Sequence, residues 1–519
     1  MFPLLSTIIW LPALGAIILL LLPQERAALY RQVALAIAAA TFVFSCGLPF
    51  IVRGITPQLS SSGPAFELVE RLSWLPSWGI SYLVGVDGIS LWMVLLTTFV
   101  TMVTLFAGRN QITTQVRYFH ILALLLETGV LGVFLAQDLL LFYFFWEFTL
   151  IPMVFMIGIW GGAGRAEAAR TFFIYTFSGS VLMLLAIIGL YVLHRNALVA
   201  GNPGYPGTME FAQIVTSIRS GLLVIDPNLA RLLFGGFFVA FAVKAPLWPL
   251  HTWQPAAYAE SPLPASVLLG ALMSKMGVYG LIRFNLTLFP EAARWAAPAV
   301  GILAVVSILY GALCAAAQSD MKRLIAYSSL SHMGFIMLGI FALNSEGITG
   351  AIIQMVNHGL TTAALFLALG VLLERRGTLD LRAYGGLWKN MPNFAGVTLV
   401  FVLSSMGLPG LNGFIGEYTI MQGAFRSPEL GWGFVSFAVI GVIFAAAYLL
   451  RMFRATFMGE LQESQNGALV DLTRNEALAL GLLLIPIVVI GLYPGFIFSG
   501  MQTSVNDLLS GLSAVVAGR

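Results

Sequence analysis

Charge is what this chain lacks most: 9% of its 519 residues are charged while 59% are hydrophobic, against roughly a quarter charged in an average soluble domain. A water-facing surface cannot be assembled from that composition. Runs of Lys or Arg are missing too. The 26 basic and 23 acidic residues are scattered singly for a net charge of +3, so nothing tracks a phosphate backbone and nucleic acid is excluded as a partner. The two cysteines, Cys46 and Cys314, lie in apolar stretches. With no Cys-x-x-Cys and no His/Cys cluster at metal-ligand spacing, they read as small core residues. The apolar start, Met1 to Leu22, lacks a basic n-region, and Pro23-Gln-Glu-Arg is not a small-residue cleavage site, so it reads as a first spanning helix rather than a signal peptide.

What is there is a series of apolar blocks long enough to cross a bilayer. They fall near residues 3 to 22, 31 to 52, 84 to 107, 119 to 137, 139 to 160, 171 to 193, 232 to 253, 262 to 282, 296 to 317, 324 to 343, 347 to 373, 395 to 423, 433 to 457 and 476 to 499. The expected fold class is an all-α integral membrane protein of about fourteen transmembrane helices. Two long connections read as extramembrane loops built on turns: 53 to 83, with Pro57, Ser60-Ser61-Ser62-Gly63-Pro64 and Pro76, and 194 to 231, with Gly201-Asn-Pro-Gly-Tyr-Pro-Gly207. Basic loops tend to stay cytoplasmic. Placing the N-terminus outside gives the cytoplasmic loops the larger share of Lys and Arg, the densest group being Arg375, Arg376, Arg382 and Lys389. Both termini are then expected outside.

A charged side chain at mid-bilayer costs about 2.5 to 3.5 kcal/mol on insertion scales, so each one needs a reason. Glu147 lies roughly 13 Å along the fifth helix at 1.5 Å per residue, near the midplane. Lys244 in the seventh helix, Lys275 in the eighth, His332 in the tenth and His358 in the eleventh fall close to their helix centres. Five ionisable groups at one depth on five helices suggest a lateral polar row that passes protons from neighbour to neighbour. Burial disfavours a charged form and an adjacent opposite charge restores it, so a Glu/Lys pair is a two-position switch: paired, the lysine holds its proton; parted, it releases it. Histidine, which titrates near neutrality, suits the relay. The blander reading, static pairs that pin helices together, is weakened because buried pairs seldom stabilise relative to apolar packing. Glu127, mid-span in the fourth helix, is a candidate accessory to the row. Asp87 at a helix start reads as a cap, and Asp138 and Glu260 at helix ends read as solvated or capping residues.

Two helices carry breaks. Lys244-Ala-Pro246-Leu-Trp-Pro249 sets two prolines inside the seventh span, each removing an N–H donor and clashing with the carbonyl four residues earlier. In the twelfth, Gly407-Leu-Pro409-Gly410-Leu-Asn-Gly413 does the same and is followed by Glu417. Broken helices in corresponding positions of two halves are the sequence sign of inverted repeats around a transport path.

Several strings occur together: Gln137-Asp-Leu-Leu-Leu-Phe-Tyr-Phe-Phe-Trp-Glu147, Phe241-Ala-Val-Lys-Ala-Pro246 with His251-Thr-Trp253, Lys275-Met-Gly277, Lys322-Arg-Leu-Ile-Ala-Tyr-Ser-Ser-Leu-Ser-His-Met-Gly334 and Gly407-Leu-Pro-Gly-Leu-Asn-Gly-Phe-Ile-Gly-Glu417. With them the chain resembles the antiporter-like membrane subunits of respiratory complex I, and among these the chain M (subunit 4) branch, over roughly residues 80 to 460. The resemblance implies a proton channel in the membrane arm, driven by quinone reduction in distant subunits. It implies two inverted five-helix repeats, at 111–284 (helices four to eight) and 285–457 (nine to thirteen), between a three-helix segment, 1–110, and a C-terminal helix with a short tail, 458–519. It matches Glu147 and Lys244 to the coupling pair, Lys275 to the central lysine, His332 and His358 to the relay histidines, and Glu417 to the terminal residue. A glutamate rather than a lysine at that last position, and the short stretch after the fourteenth helix, favour the chain M branch. No cofactor is expected on this chain, with NADH, FMN, iron-sulfur clusters and quinone in partner subunits and sister antiporter-like chains on both sides. The expected location is a bacterial inner membrane, with a thylakoid membrane as the alternative. The chain departs from the family pattern at Trp253-Gln-Pro-Ala-Ala-Tyr258, where Trp-Leu-Pro-Asp-Ala-His is common. A cation/proton antiporter subunit or a membrane-bound hydrogenase subunit would use the same path. A reading from another class makes His332 and His358 axial haem ligands, against which Ser328, Ser329 and Ser331 favour a hydrated path.

Overall fold

The computed structural model describes residues 3–23, 26–52, 66–199 and 205–517. The expected turn residues Pro57, Ser60 to Pro64 and Gly201 to Gly204 lie outside the described residues. Thirteen helices among the described residues are long and apolar enough to cross a membrane: α1 (Leu4–Leu21), α2 (Ala27–Val52), α3 (Ser90–Asn110), α4 (Val116–Leu135), α5 (Leu139–Trp160), α6 (Arg165–Val199), α7 (Pro227–Lys244), α8 (Leu263–Leu288), α9 (Pro290–Ala317), α10 (Met321–Phe341), α11 (Ser345–Arg376), α13 (Trp432–Phe457) and α14 (Arg474–Leu492). The shorter apolar helix Pro392–Ser405, resuming as Asn412–Arg426, is α12 and completes the up-and-down series.

The breaks set the architecture. In α7, expected over 232 to 253, the helix begins earlier because Asp226 accepts hydrogen bonds from the N–H groups of Asn228 and Leu229, with Pro227 in the first turn. It ends at Lys244 because Pro246 cannot continue it, and resumes as Trp253–Glu260. Lys244, expected near a helix centre, is therefore the last residue of the first half. The carbonyls freed at the break find partners: Ala242 accepts from Leu247 N at 2.9 Å, and Val243 accepts from the indole of Trp253 at 2.9 Å. In α12, Gly407 and Gly410 take φ of +78° and +93°, the left-handed backbone that glycine adopts without a steric cost.

Helices α8, α10 and α11 form the interior. The apolar window of α8 is 100% buried and those of α10 and α11 are 94% buried, whereas α2 is 22% buried and faces outward. Glycine lets α8 press against the broken end of α7: a Cβ at Gly277 would lie 2.5 Å from the carbonyl oxygen of Phe241. Two π-helical turns, Leu269–Met273 and Leu281–Asn285, flank the α-helical segment Ser274–Gly280 that carries Lys275.

Two expected irregular segments are ordered instead. Part of the connection 53 to 83 is an antiparallel hairpin, β1 (Leu68–Leu75) and β2 (Ile80–Val86), turning at Gly79 with φ +63°. Alternating Val, Leu, Tyr and Ile made this legible in principle, but Pro76 and Ser77 were read as loop. After α14 the chain runs on as α15 (Gly495–Ala517) rather than as a short tail. Ser504 of α15 accepts a hydrogen bond from Gly88 N at 2.9 Å, and Asp507 lies 3.6 Å from Arg219. Counting spans, the hairpin, α15 and the first turn of α1 lie on one face, the hairpin face.

Candidate functional site

Four of the expected residues meet in one buried row. On α8, the Lys275 ammonium donates to the carbonyl of Gly270 at 2.7 Å, to Ser274 Oγ at 3.2 Å and to His358 Nδ1 of α11 at 2.7 Å. The other nitrogen of His358 lies 3.2 Å from Thr362 Oγ1. The ring of His332, on α10, stands 5.6 Å from that of His358, centroid to centroid. His332 Nδ1 is 2.6 Å from Glu417 Oε1 on α12, and Gln354 Nε2 donates to the same oxygen at 3.2 Å. Lys275, His358, His332 and Glu417 are 0%, 5%, 4% and 4% exposed. The carboxyl of Glu417 and the imidazole of His332, 2.6 Å apart and shielded from water, share a short hydrogen bond.

The other two residues stand apart. The Lys244 ammonium donates to Thr149 Oγ1 at 3.4 Å and lies 5.1 Å from the ring centroid of Trp146 and 5.9 Å from that of Phe172. Two aromatic faces and a hydroxyl thus hold the cation, in the manner of cation–π contacts. Glu147 is half-buried at the irregular turn of α5 near Thr149, and its Oε1 has no hydrogen-bond partner among the described residues. No ion pair between Glu147 and Lys244 occurs among the described residues. Glu127 is 1% exposed with neither carboxyl oxygen hydrogen-bonded among the described residues; nothing in the geometry ties it to the row.

The expected helix-break residues frame the row. Pro246 and Pro249 place Lys244 at the end of a helix, and Pro409 and Gly410 open α12 one turn before Asn412. There the sequence reading missed a cross-link: Asn357 Nδ2 donates to the carbonyl of Asn412 at 2.7 Å, Asn412 Nδ2 donates to the carbonyl of Asn357 at 3.3 Å, and Ser404 Oγ donates to Asn412 Oδ1 at 2.5 Å. Neutral polar residues in apolar helices were the available signal. Ser405 Oγ lies 3.4 Å from His332 Nε2, so all four imidazole nitrogens of His332 and His358 have side-chain partners, and neither ring presents a bare nitrogen for axial ligation of haem. The departure from the family string also has a place: Gln254 and Tyr258 are fully buried, and Gln254 Nε2 donates to the carbonyl of Ala326 at 3.1 Å. Of the expected caps, Asp138 accepts from Leu140 N and Leu141 N at 2.9 and 3.1 Å and Glu260 accepts from Gly164 N at 2.9 Å. Asp87 caps α3 through Ser90 N at 2.9 Å but also pairs with Arg283 of α8 at 2.7 Å, both side chains buried.

Residues 136–445 match the family described as NADH:quinone oxidoreductase/Mrp antiporter, transmembrane. The chain is 39% identical to NADH-quinone oxidoreductase subunit M of Rhodobacter capsulatus, over 98% of this chain and 97% of that protein. It is 37% identical to NADH-ubiquinone oxidoreductase chain 4 of Marchantia polymorpha over 97% of each. Among solved structures it is similar to a chain of respiratory complex I from Thermus thermophilus with bound NADH, with a TM-score of 0.84, 32% identity and coverage of 98% and 99% of the two chains. The fold alone is shared with a chain of the membrane-bound sulfane sulfur reductase, an archaeal respiratory membrane complex, at a TM-score of 0.82 and 24% identity over 95% of this chain and 76% of that one. On its family match, its full-length relatives and its fold, the chain belongs to the antiporter-like membrane subunits of NADH-quinone oxidoreductase, among those named subunit M or chain 4.

Proposed function

We infer that the chain moves protons within the membrane arm of a NADH-quinone oxidoreductase, along a path made of Glu147, Lys244, Lys275, His358, His332 and Glu417. It is a multi-pass membrane subunit whose partners are other subunits of that arm. The observation that carries the path is the buried row of Lys275, His358, His332 and Glu417, hydrogen-bonded at each end, with the two imidazole rings 5.6 Å apart, centroid to centroid, between them. A proton leaving the Lys275 ammonium goes to His358 Nδ1, across 2.7 Å; an imidazole that gains a proton on one nitrogen can lose one from the other, so it conducts without net change. His332 repeats that step and hands the proton to Glu417, a carboxyl that can release it to water. The supply of Lys275 rests with Lys244: with Glu147 close, Lys244 keeps its proton, and with Glu147 apart, the desolvated ammonium is a donor. Lys244 on Thr149 and Trp146 corresponds to the parted arrangement.

In this reading the path spans two inverted repeats, 111–284 and 285–457, sister antiporter-like chains lie on both sides, and NADH, FMN, iron-sulfur clusters and quinone are bound by partner subunits. The membrane is a bacterial inner membrane with the hairpin face outward, so Glu417, in the half of α12 nearer that face, is the exit. The test is to purify the assembly and reconstitute it in vesicles. Lys275→Ala, fully assembled, is expected to lose most quinone-linked proton pumping, and wild-type pumping would remove Lys275 from the path. A second reading, a subunit of a cation/proton antiporter or a membrane-bound hydrogenase, is favoured by the breadth of the matching family, whose description includes Mrp antiporters. A quinone-reducing iron-sulfur arm among the co-purifying subunits supports the first reading; a nickel hydrogenase, or neither, supports the second.

A further inference from the structure

A cavity of about 710 Å³ opens on the hairpin face, where the first turns of α7 and α9 meet the end of α8 and α15. The proton path does not use it, and its volume falls within the range of sites for small molecules. Its wall is mostly apolar, with Leu223, Ile225, Leu288, Phe289 and Leu512 contributing. Three charged side chains, Arg231, Glu291 and Arg294, line it as well. Arg231 is the fifth residue of α7 and Trp295 the sixth of α9, so both lie roughly 6 to 8 Å from their helix starts at 1.5 Å per residue. That is the level at which aromatic rings and lipid headgroups meet. The Arg231 guanidinium lies over the Trp295 ring, 4.9 Å from its centroid. A guanidinium laid on a ring face keeps its in-plane N–H groups for an anion. Arg294 is balanced by Glu429 at 3.2 Å, whereas no ion pair of Arg231 occurs among the described residues. Beyond the mouth the surface is apolar: Leu232 is 71% exposed, and Trp295 and Ile302, two turns apart on one face of α9, are 60% and 57% exposed.

We propose that this cavity is a binding site for a glycerophospholipid of the hairpin-side leaflet, with the phosphodiester on Arg231 and an acyl chain along the apolar wall. The planar fork of a guanidinium matches two phosphate oxygens, and Arg294 borders the same space from α9. Glu291 accepts from the ammonium or hydroxyl that a phospholipid headgroup carries beyond its phosphate. A small anion would answer Arg231 and leave the apolar wall wet, and a purely apolar molecule would fill the wall and leave the charge of Arg231 unanswered. A phospholipid meets both demands at the depth where its own headgroup lies. Seated there, it packs the hairpin-side ends of α7, α9 and α15 against one another.

The test uses the intact complex, stripped of lipid in a neutral detergent, and a phosphatidylethanolamine with a photoactivatable carbene precursor near the glycerol end of one acyl chain. Mass spectrometry locates the label, and label on the outward-facing α2 sets the baseline for ordinary contact with lipid. Labelling above that baseline is expected within residues 223–231 and 288–295, which line the cavity. Unlabelled phosphatidylethanolamine should compete for it, whereas inorganic phosphate and diacylglycerol at the same concentration should not. Arg231→Gln is expected to raise the probe concentration for half-maximal labelling about tenfold, the effect of losing one charge-assisted hydrogen bond. Competition by inorganic phosphate would make this a simple anion site, and competition by diacylglycerol equal to that by the phospholipid would remove the role of the phosphate; either result overturns the proposal. Labelling no higher than the baseline also overturns it, and shows that another subunit closes the cavity. An unchanged half-maximal concentration in assembled Arg231→Gln overturns the assignment of the phosphate to Arg231. The competition series on the unaltered complex decides the matter even where that variant does not assemble.

Discussion

At the scale of single residues, the charges were legible because they interrupt apolar runs, and an ionised group in hydrocarbon needs a reason. Lys275, His332, His358 and Glu417 were visible one by one; that they touch in that order was not, since contacts across α8, α11, α10 and α12 are not written in one dimension. Asp87 reads from the sequence as a cap alone and Arg283 draws no notice, because each sits near a helix end, where a cap or a solvated charge is the common case. Substitutions separate relay from scaffold. Lys275→Arg keeps the positive charge but cannot release a proton, so it is expected to assemble and to pump no better than about a hundredth of wild type, the smallest loss typical of removing an acid–base group. Pumping by Lys275→Arg close to wild type would show that charge alone suffices. At Glu417, Gln can still hydrogen-bond to His332 and Gln354 but carries no proton, so Glu417→Gln should stop pumping while Glu417→Asp keeps part of it. Vesicles that acidify equally with Gln and with Glu would place the exit elsewhere. Glu147→Gln, read in the same vesicles, should leave assembly intact and remove most turnover-linked pumping.

At the scale of elements, fourteen spans could be counted from hydropathy, and the two breaks from their prolines and glycines. Element ends were less legible. The start of α7 depends on Asp226 reaching two backbone N–H groups, and its end on where Pro246 stops the ladder, so Lys244 moved from an expected helix centre to a helix end. The hairpin and α15 were hidden because loop-like residues, Pro76 and Ser77 in one and the serines of the other, mask elements that gain their stability only by packing on the rest of the fold. Close backbone approach predicts which glycines resist change. In Gly277→Ala the new methyl would meet the Phe241 carbonyl at 2.5 Å and the Ala245 nitrogen at 2.7 Å, forcing α8 off the broken end of α7. Overpacking of this kind costs typically about 1 to 3 kcal/mol, so a lower thermal midpoint of the purified assembly is expected, whereas Gly396→Ala, with open space around its Cβ position, should leave it unchanged.

At the scale of the whole molecule, parity groups the elements by face, and the orientation proposed above rests on the excess of basic residues on the face opposite the hairpin. A single cysteine at Thr378, in a variant lacking Cys46 and Cys314, should react with a membrane-impermeant maleimide only from the cytoplasmic side, and one at Ser77 only from outside. The reverse pattern would invert the direction of transport assigned to Glu417. Lys275, His358 and His332 all sit near the middle of their helices, so the row joining them lies in the plane of the bilayer. A membrane voltage acts along the normal, at about 2.3 kcal/mol per elementary charge per 100 mV for a full crossing. A proton travelling along that row crosses almost none of the voltage drop. On the proposed path the opposing potential is met only on the legs into the row and out past Glu417, so the membrane voltage adds almost nothing to the sideways journey however strongly the membrane is energised.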